Sequence, residues 1–391
     1  MKTKKLLAFS VLVLVMFPVG ARAQDSDKHK PGPYKLLTTV TIPGEELVGF
    51  DISWVDSEAG RYYLANRGTG TTPARPNITV IDTRHNKLLY TIPMPAAALV
   101  EAPNGVVAIH GGDDEDDDGP GTLVVGGAPN TAHPESLAIF IDLAHPFAPP
   151  TLVSTGGNHR ADELAYDPKD HIILIANDQD TPAPFISFIS TLNPPHVLGK
   201  IVYDGTKGNP QSTGGIEQPV WDQKTKRFYL AIPKTAANLN GEVDEIDPIA
   251  MKITRVFPTD CGPAGLALIP GQRLMTSCGD VLEIATGKVL QRVANVGGDE
   301  IWFNPGDERV YFGGFGPSPQ PSIHVPVVNA LPPYNVITTL TVGLIATPPA
   351  PNHTTHSVAA DSELNRIFVP VSHEGVKVYT DEGDNDDGPD N

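Results

Sequence analysis

Seven equivalent positions along the chain carry side chains that could do chemistry together. They are Asp51, Asn104, Asp162, Glu217, Ala264, Asp299 and His356, so only Ala264 is inert. The following position adds Glu163, Gln218 and Glu300, and three residues ahead lie Glu101, His159 and His353. Carboxylates that converge on a narrow space repel one another. Either some of them are protonated, with a raised pKa, or a cation neutralises them.

Two kinds of catalysis fit these side chains. Oxygen ligands favour Ca²⁺ or Mg²⁺, and histidine ligands would also admit Zn²⁺ or Mn²⁺. A metal ion can polarise a carbonyl group or activate a water molecule, and a nearby histidine or glutamate can move protons. We predict the metal ligands Asp162, Glu217 and Asp299, the catalytic residues His159, His353, His356, Glu163 and Glu300, and the substrate-binding residues Asp51, Asn104 and Gln218.

A structural interpretation of the same residues is the alternative. Repeated units often begin with Asp or Asn, because these side chains cap turns, and duplication alone would repeat them. The histidines are different, because His159, His353 and His356 occur in only two of the units. Duplication does not explain them.

Each of these positions precedes the same local pattern, which is an apolar run, a turn and a second β-rich run. The equivalent positions are about 50 residues apart, except for a step of about 35 residues between Ala264 and Asp299. Short β-branched and aromatic runs alternate with turns, and the chain has 39 Pro and 37 Gly residues. We therefore predict an all-β fold, a seven-bladed β-propeller whose central channel the polar residues surround.

The two ends of the propeller region complement each other. The last unit supplies only residues 375–380 after its hairpin, so it lacks a fourth strand. Residues 34–42 have the composition of that missing strand. We predict that the N-terminal strand completes the last blade, which closes the ring and removes exposed sheet edges.

The N-terminus has the features of a secretory signal peptide. A basic start precedes an apolar stretch and an Ala-x-Ala site, and cleavage is expected after Ala23. The loss of four basic residues would take the net charge from −18 to −22, which argues against nucleic acid and anionic membranes as partners. The expected organisation is a signal peptide over 1–23, a propeller over 24–380 and an acidic disordered tail over 381–391, in an exported protein that is periplasmic or secreted.

The cysteines and the acidic segments indicate the same kind of environment. Cys261 and Cys278 flank the hairpin of the fifth unit, and an oxidising compartment favours a disulfide between them. Residues 112–119 and 381–388 are acidic and resemble short calcium loops, without the full spacing of an EF-hand. The alternative is a solvated loop and a disordered tail.

Other catalytic signatures are missing from the sequence. It has no Gly-x-Ser-x-Gly elbow, no phosphate-binding loop, no dinucleotide fingerprint and no Cys-x-x-Cys-His motif, so we expect neither a nucleotide nor a haem cofactor. Trp54, Trp221 and Trp302 occupy similar positions in their units. We assign them to packing between blades in preference to stacking on a ligand.

Asp-Pro and Asn-Pro-Gly turns are followed by strands like Arg309-Val-Tyr, and then by segments such as Ile81-Asp-Thr and Ile246-Asp-Pro. With these features, residues 34–380 resemble bacterial exported seven-bladed propellers with YVTN-type repeats. The resemblance implies a likeness to propeller lactonases and gluconolactonases, which hold a divalent cation at the channel mouth. The residues that would hold this cation, by position, are Asn104, Asp162, Glu217 and Asp299. Propellers of this shape also include lyases and enzymes that cleave ethers or esters, so the fold does not select a reaction.

The sequence leaves three functional hypotheses. The first is a metal-assisted or acid–base hydrolase or lyase that acts on a small oxygenated molecule, such as a lactone, ester or aryl ether, at the channel mouth. The second is a non-catalytic propeller that binds a ligand, a metal or a protein. The third is a structural or calcium-stabilised surface protein that uses the acidic segments.

Overall fold

The chain folds into strands joined by short turns. The computed structural model describes residues 33–44, 46–68, 76–94, 102–110, 121–130, 132–314, 322–344 and 354–381. These ranges contain 28 β-strands and no helix, and hence no helix that is long and apolar enough to cross a bilayer. The strands form seven sheets of four antiparallel strands each.

The seven sheets are named blades 1 to 7 in chain order. Blade 1 has β2 (Gly49–Asp56), β3 (Arg61–Gly68), β4 (Asn77–Asp82) and β5 (Lys87–Pro93). Blade 2 has β6 (Val106–Ile109), β7 (Thr122–Gly127), β8 (Leu137–Asp142) and β9 (Thr151–Ser154). Blade 3 has β10 (Leu164–Asp167), β11 (Ile172–Asn177), β12 (Phe185–Ser190) and β13 (His196–Val202). Blade 4 has β14 (Pro219–Asp222), β15 (Arg227–Ile232), β16 (Glu242–Asp247) and β17 (Lys252–Pro258).

The remaining blades follow the same order. Blade 5 has β18 (Leu266–Ile269), β19 (Arg273–Thr276), β20 (Asp280–Glu283) and β21 (Lys288–Arg292). Blade 6 has β22 (Ile301–Asn304), β23 (Arg309–Phe312), β24 (Ser322–Asn329) and β25 (Val336–Leu344). Blade 7 has β26 (Ala359–Asp361), β27 (Arg366–Val371), β28 (Gly375–Asp381) and the N-terminal strand β1 (Tyr34–Val40).

The blades are arranged in a ring. The first strand of each blade contacts the first strand of the next, and β26 of blade 7 contacts β2 of blade 1. β1 pairs antiparallel with β28, with Tyr34 opposite Asp381 and Val40 opposite Val376. The predicted seven-bladed β-propeller, closed by its N-terminal strand, is confirmed. The last strand includes Asp381, which the sequence places at the start of the acidic tail.

The apolar core is divided among the contacts between blades. Seven clusters of buried side chains occur in the described chain, and each joins two neighbouring blades. Alternate residues of a strand point toward the blades on opposite sides of its sheet. Both faces of most strands inside a blade are therefore apolar. Each sheet is therefore held by its two neighbours, and the ring brings the ends of its innermost strands together.

The acidic residue that ends many innermost strands has a structural role. Asp56 accepts a hydrogen bond from the backbone N–H of Ala59 at 3.0 Å, and Asp167 accepts one from Lys169 at 3.0 Å. Asp222 and Asp361 accept equivalent bonds from the residues two positions on. These are Asx turns, which tighten the hairpin to the second strand. The Asp-Pro signature of the repeat therefore marks a turn rather than a site.

Blade 5 carries the predicted covalent link. Cys261 and Cys278 form a disulfide with their Cα atoms 6.0 Å apart. The bond joins the segment before β18 to the turn after β19. Blade 5 has fewer strand residues than any other blade, and the sequence also indicates that the fifth unit is the shortest.

Candidate functional site

The polar residues just before or near the start of the innermost strands form one electrostatic cluster, which we call the upper mouth: Asp51, Asn104, Asp162, Glu217, Asp299 and His356. Asp51 influences the ionisation of Asp162 and Asp299, and Asp162 and Asp299 influence that of Glu217. The ring positions recognised in the sequence are therefore close enough to interact. Ala264, from blade 5, adds no charge to them.

Arg67, near the end of β3, neutralises one side of the upper mouth. Its guanidinium donates to Asp51 Oδ2 and, at 2.6 Å, to Asn104 Oδ1. His356 Nε2 lies 3.0 Å from the carbonyl oxygen of Phe50 and 3.3 Å from Asp51 Oδ1. Because a carbonyl oxygen only accepts, Nε2 carries a proton. Burial alone would raise the pKa of Asp51, but the Arg67 charge and the His356 hydrogen bond hold it below its ordinary value.

Arg160, in the loop before β10, neutralises the other side. Its Nε lies 2.5 Å from Asp162 Oδ2, and its Nη2 lies 3.3 Å from Asp178 Oδ2. The second Asp178 oxygen accepts a hydrogen bond from the backbone N–H of Ile216 at 3.0 Å. Burial and the charge of Asp51 raise the pKa of Asp162 to about 8, and Arg160 opposes this rise.

Sequence reasoning missed both arginines. It allowed only a proton or a metal ion to neutralise the converging carboxylates, whereas guanidinium groups contact Asp51 and Asp162. Arg67 ends a second strand and Arg160 lies in a loop, so neither occupies a position that repeats from unit to unit. A search for basic residues within two positions of each acidic ring residue would have found Arg160, and strand pairing would have been needed to find Arg67.

Glu217 and Asp299 lack such partners. In the chain as described, neither side chain makes a hydrogen bond or ion pair. Burial raises the pKa of Glu217 well above its ordinary value, and the charges of Asp178 and Asp162 add to this. Burial also raises the pKa of Asp299, although solvent reaches that side chain. No three Asp, Glu, His or Cys side chains of the described ranges form a metal-binding group. The ligand set Asp162, Glu217 and Asp299 stays a prediction.

The predicted histidines do not come together as a set. His356 lies in the Asp51 network, but the exposed His159 contributes only its backbone N–H, which donates to Asp180 Oδ2 at 3.3 Å. His353 and Glu101 lie outside the described residues, as do most of the two acidic segments. His110 lies at the opposite end of the channel, where its Nε2 is 3.0 Å from Asp56 Oδ2.

Beside the upper mouth, the innermost strands surround a cavity of about 430 Å³, which we call the central cavity. Its walls are mainly apolar, and all three tryptophans of the chain, Trp54, Trp221 and Trp302, line it. The rings of Trp54 and Trp302 meet edge to face with centroids 5.1 Å apart. The sequence analysis assigned the tryptophans to packing between blades. Trp54 does pack against two inter-blade clusters, but it also faces the cavity.

Glu163 places a carboxyl group at this apolar cavity. It is 5% exposed, and its Oε2 has no hydrogen-bond partner among the residues that the structure describes. Burial raises the pKa of Glu163 well above its ordinary value, and the charges of Glu217 and Asp162 raise it further. The group is therefore a neutral acid over a wider pH range than an exposed glutamate.

Glu300 reaches the same cavity from blade 6, and its carboxyl group has more hydrogen-bond donors than that of Glu163. Its Oε2 accepts from the Ser357 hydroxyl, which lies 2.8 Å from Ser53 Oγ and accepts from the Ser53 backbone N–H at 2.9 Å. Burial raises the pKa of Glu300 well above its ordinary value, although hydrogen bonds from Ser357 and Ser53 oppose this rise. Of the two glutamates, Glu300 is the better placed to be a carboxylate.

The predicted substrate-binding amides are engaged with the fold. Gln218 Oε1 accepts from the backbone N–H of Leu266 at 2.7 Å and from that of Ile301 at 3.4 Å, which links blades 4, 5 and 6. Asn104 contacts Arg67 with its oxygen and donates to the carbonyl of Ala161 at 3.0 Å. Both amides are therefore held by the backbone and by Arg67, which leaves them only part of their hydrogen-bonding capacity for a ligand.

Comparison with known proteins adds no functional information. No protein-family model matches the chain, and no curated protein matches it in sequence.

Proposed function

We propose that this propeller is an acid–base hydrolase or lyase that acts on a small, mainly apolar molecule with an ester, lactone or aryl-ether oxygen, bound in the central cavity. One observation carries the proposal: Glu163 holds a buried carboxyl group with an unpartnered oxygen at an aromatic-lined cavity. Concave apolar sites with a few convergent polar groups of shifted pKa are typical of small-molecule binding and catalysis.

The cavity supports a neutral ligand. Its volume lies in the range of small-molecule sites, and the indole rings offer flat apolar surfaces to an aromatic group. A protonated Glu163 can donate a hydrogen bond to a carbonyl or ether oxygen. The nearby carboxyl groups of Asp162, Glu217 and Asp299 disfavour an anion.

The two glutamates are suited to opposite roles. For an ester or lactone, Glu300 would take a proton from the attacking water, and Glu163 would give its proton to the leaving oxygen. For an aryl ether, Glu300 would remove a proton from the carbon next to the C–O bond, and Glu163 would again protonate the leaving oxygen. Either reaction leaves Glu300 protonated and Glu163 ionised, and exchange with solvent restores both.

A divalent cation on Asp162, Glu217 and Asp299, which the resemblance to propeller lactonases suggests, fits this arrangement poorly. Arg160 already contacts Asp162, and Arg67 contacts the neighbouring Asp51, so the ion would lie against two guanidinium groups. No step of the proposed reaction uses this ion. The upper mouth instead holds the ends of the innermost strands in place.

Export is part of the proposal. The Cys261–Cys278 disulfide supports an oxidising compartment, and residues 1–23 have the pattern of a signal peptide. A periplasmic or secreted enzyme would meet small neutral molecules that enter from outside the cell.

The tryptophans supply the first test. Because all three line the central cavity, their fluorescence should change when a ligand enters it. A panel of aryl esters, aryl lactones and aryl ethers would be screened by fluorescence, and the compounds that bind would then be assayed for cleavage. We expect Glu163→Gln to lower kcat by about 10²–10⁴-fold while ligand binding is retained, because the variant keeps the shape but loses the proton.

The control is Asp142→Asn, which changes an exposed carboxyl group on the rim of blade 2 and should leave kcat unchanged. Binding without turnover across the panel would indicate a binding protein and reject the catalytic part. Turnover that is unchanged in both Glu163→Gln and Glu300→Gln would reject the proposed site.

A further inference from the structure

Two carboxyl groups are buried between blades 3 and 4, away from the central channel. Glu242 and Asp244 are 1% and 0% exposed and lie on the same face of β16, opposite Ile232 and Leu230 of β15. Ile232 and Leu230 belong to the apolar cluster that joins blades 3 and 4. The two acidic side chains therefore lie inside an apolar contact, where an uncompensated charge is costly.

Most of the oxygen atoms in this group lack a well-formed hydrogen bond. Among the described residues, these are both oxygens of Asp244, Glu242 Oε1 and the hydroxyl of the fully buried Tyr203, although that hydroxyl lies close enough to Asp244 to interact with it. Only Glu242 Oε2 is satisfied, by Thr235 Oγ1 at 2.9 Å and Asn238 Nδ2 at 2.5 Å. Four oxygen atoms without a well-formed hydrogen bond in one apolar contact indicate a missing partner.

These atoms are close enough to affect one another. Burial raises the pKa of Asp244 well above its ordinary value, the charge of Glu242 adds to this, and the Tyr203 hydroxyl opposes it. Burial also raises the pKa of Tyr203, and the charges of Asp244 and Glu242 raise it further. Tyr203 follows the outer strand of blade 3, so the group is built from both blades.

In blades 1 and 3 the equivalent residues are neutral and hydrogen-bonded. In blade 1 the equivalents of Glu242 and Asp244 are Asn77 and Thr79, whose side chains share a hydrogen bond of 2.9 Å. In blade 3 the equivalent of Asp244 is Ser187, whose hydroxyl donates to the carbonyl oxygen of Thr155 at 3.4 Å. Blade 4 differs by two carboxyl groups that the protein itself does not neutralise.

We propose that Glu242 and Asp244 bind a Ca²⁺ ion between blades 3 and 4, with the Tyr203 and Thr235 hydroxyl groups beside it. Two carboxylates balance one divalent charge. A set of oxygen ligands without His or Cys selects Ca²⁺ or Mg²⁺ over Zn²⁺. Ca²⁺ fits better than Mg²⁺ because it accepts irregular geometry and a bidentate carboxylate, which the two free oxygens of Asp244 can provide. The ion would brace two blades and take no part in chemistry at the cavity.

The experiment uses the full chain after treatment with a chelator and gel filtration. Ca²⁺ would be added during calorimetric titration and thermal unfolding, and Tb³⁺ would replace it in a luminescence assay with tyrosine excitation. We expect about one ion per chain, a Tm that rises with Ca²⁺ concentration, and Tb³⁺ emission sensitised by Tyr203. Asp244→Asn should lower the affinity at least about tenfold.

The matched control is Glu245→Gln. Glu245 is the next residue on β16, on the opposite face, and its pairing with Arg255 at 3.3 Å makes it independent of the buried group. This variant should keep both the ion and the rise in Tm. If Asp244→Asn does not fold, Tyr203→Phe tests the same site, because it keeps the carboxyl groups but should weaken the sensitised emission.

Three outcomes would overturn the proposal. One is a Tm that does not respond to Ca²⁺ at any concentration. Another is binding that Asp244→Asn leaves unchanged, which would place the ion elsewhere, for example in acidic segments 112–119 or 381–388. The third is a calorimetric titration of the chelator-treated parent that detects no binding of Ca²⁺, which would leave the buried carboxyl groups simply protonated.

Discussion

At the scale of single residues, the channel separates acidic groups that have cationic partners from those that have none. Asp51 contacts Arg67 and His356 and has a lowered pKa, while Glu163 contacts no cation among the described residues and has a raised pKa. Asp51 is the ring residue of blade 1, and Glu163 follows the ring residue of blade 3. Their environments, rather than their types, decide which one is a charge and which one is an acid.

The raised pKa of Glu163 predicts how stability depends on pH. Since the folded state holds this proton more tightly than the unfolded state, its contribution to stability is present below the ordinary pKa of glutamate. That contribution is lost as pH rises toward the raised folded value. Urea unfolding at a series of pH values should show this loss in the parent protein and a weaker loss in Glu163→Gln. If the free energy of unfolding depends on pH equally in the two proteins, the raised pKa of Glu163 is contradicted.

The sequence allowed the ring residues to be predicted because they repeat in register with the strands. It did not allow the partners of those residues to be predicted. Arg67 reaches Asp51 only because β2 and β3 pair, and this pairing places a residue of the second strand beside a residue of the first. Interactions between non-equivalent positions of the repeat depend on three-dimensional geometry, which a comparison of units does not contain.

At the scale of elements, blade 7 is tied to blade 6 by a buried ion pair. Arg309 of β23 contacts Asp381 at the end of β28, with the side chains 4% and 1% exposed. The same guanidinium donates to the hydroxyl of Tyr34 on β1. One arginine therefore holds both strands that close the ring.

Removal of this arginine should be costly. We expect Arg309→Met to lower the free energy of unfolding by about 3–5 kcal/mol, because it removes the guanidinium group that pairs with the buried Asp381 carboxylate. The comparison is Arg61→Met, which removes a more exposed pair with Asp82 at 3.9 Å and should cost at most about 1 kcal/mol. Urea unfolding would measure both differences in the free energy of unfolding. Similar differences for the two variants would show that the buried pair stabilises the fold no more than the exposed one.

At the scale of the whole molecule, stability depends on closure of the ring. Each blade is packed between two others, so an unclosed ring would expose the apolar faces of two blades and the edge of β28. The sequence predicted this closure from the unpaired last unit and the unassigned first strand. It could not predict the central cavity, because the volume that remains between seven innermost strands depends on the packing of side chains from six of them.

Deletion of residues 1–41 tests the closure. The shortened chain lacks β1, and we expect it to be aggregated or to unfold at a much lower urea concentration than the parent. Size-exclusion chromatography and urea unfolding would measure both effects. Addition of a synthetic β1 peptide should restore part of the stability, since the strand pairs only through β28. A truncated monomer as stable as the parent would show that β1 is dispensable.

The pairing of β1 with β28 also orders events during biosynthesis. The strand that leaves the ribosome early has no partner until the end of the propeller has been synthesised, some 340 residues later. Blades 1 to 6 can form their sheets as they emerge, but blade 7 has to wait. A chain stopped before β28 keeps an unpaired strand, whose backbone groups are open to pairing with other chains.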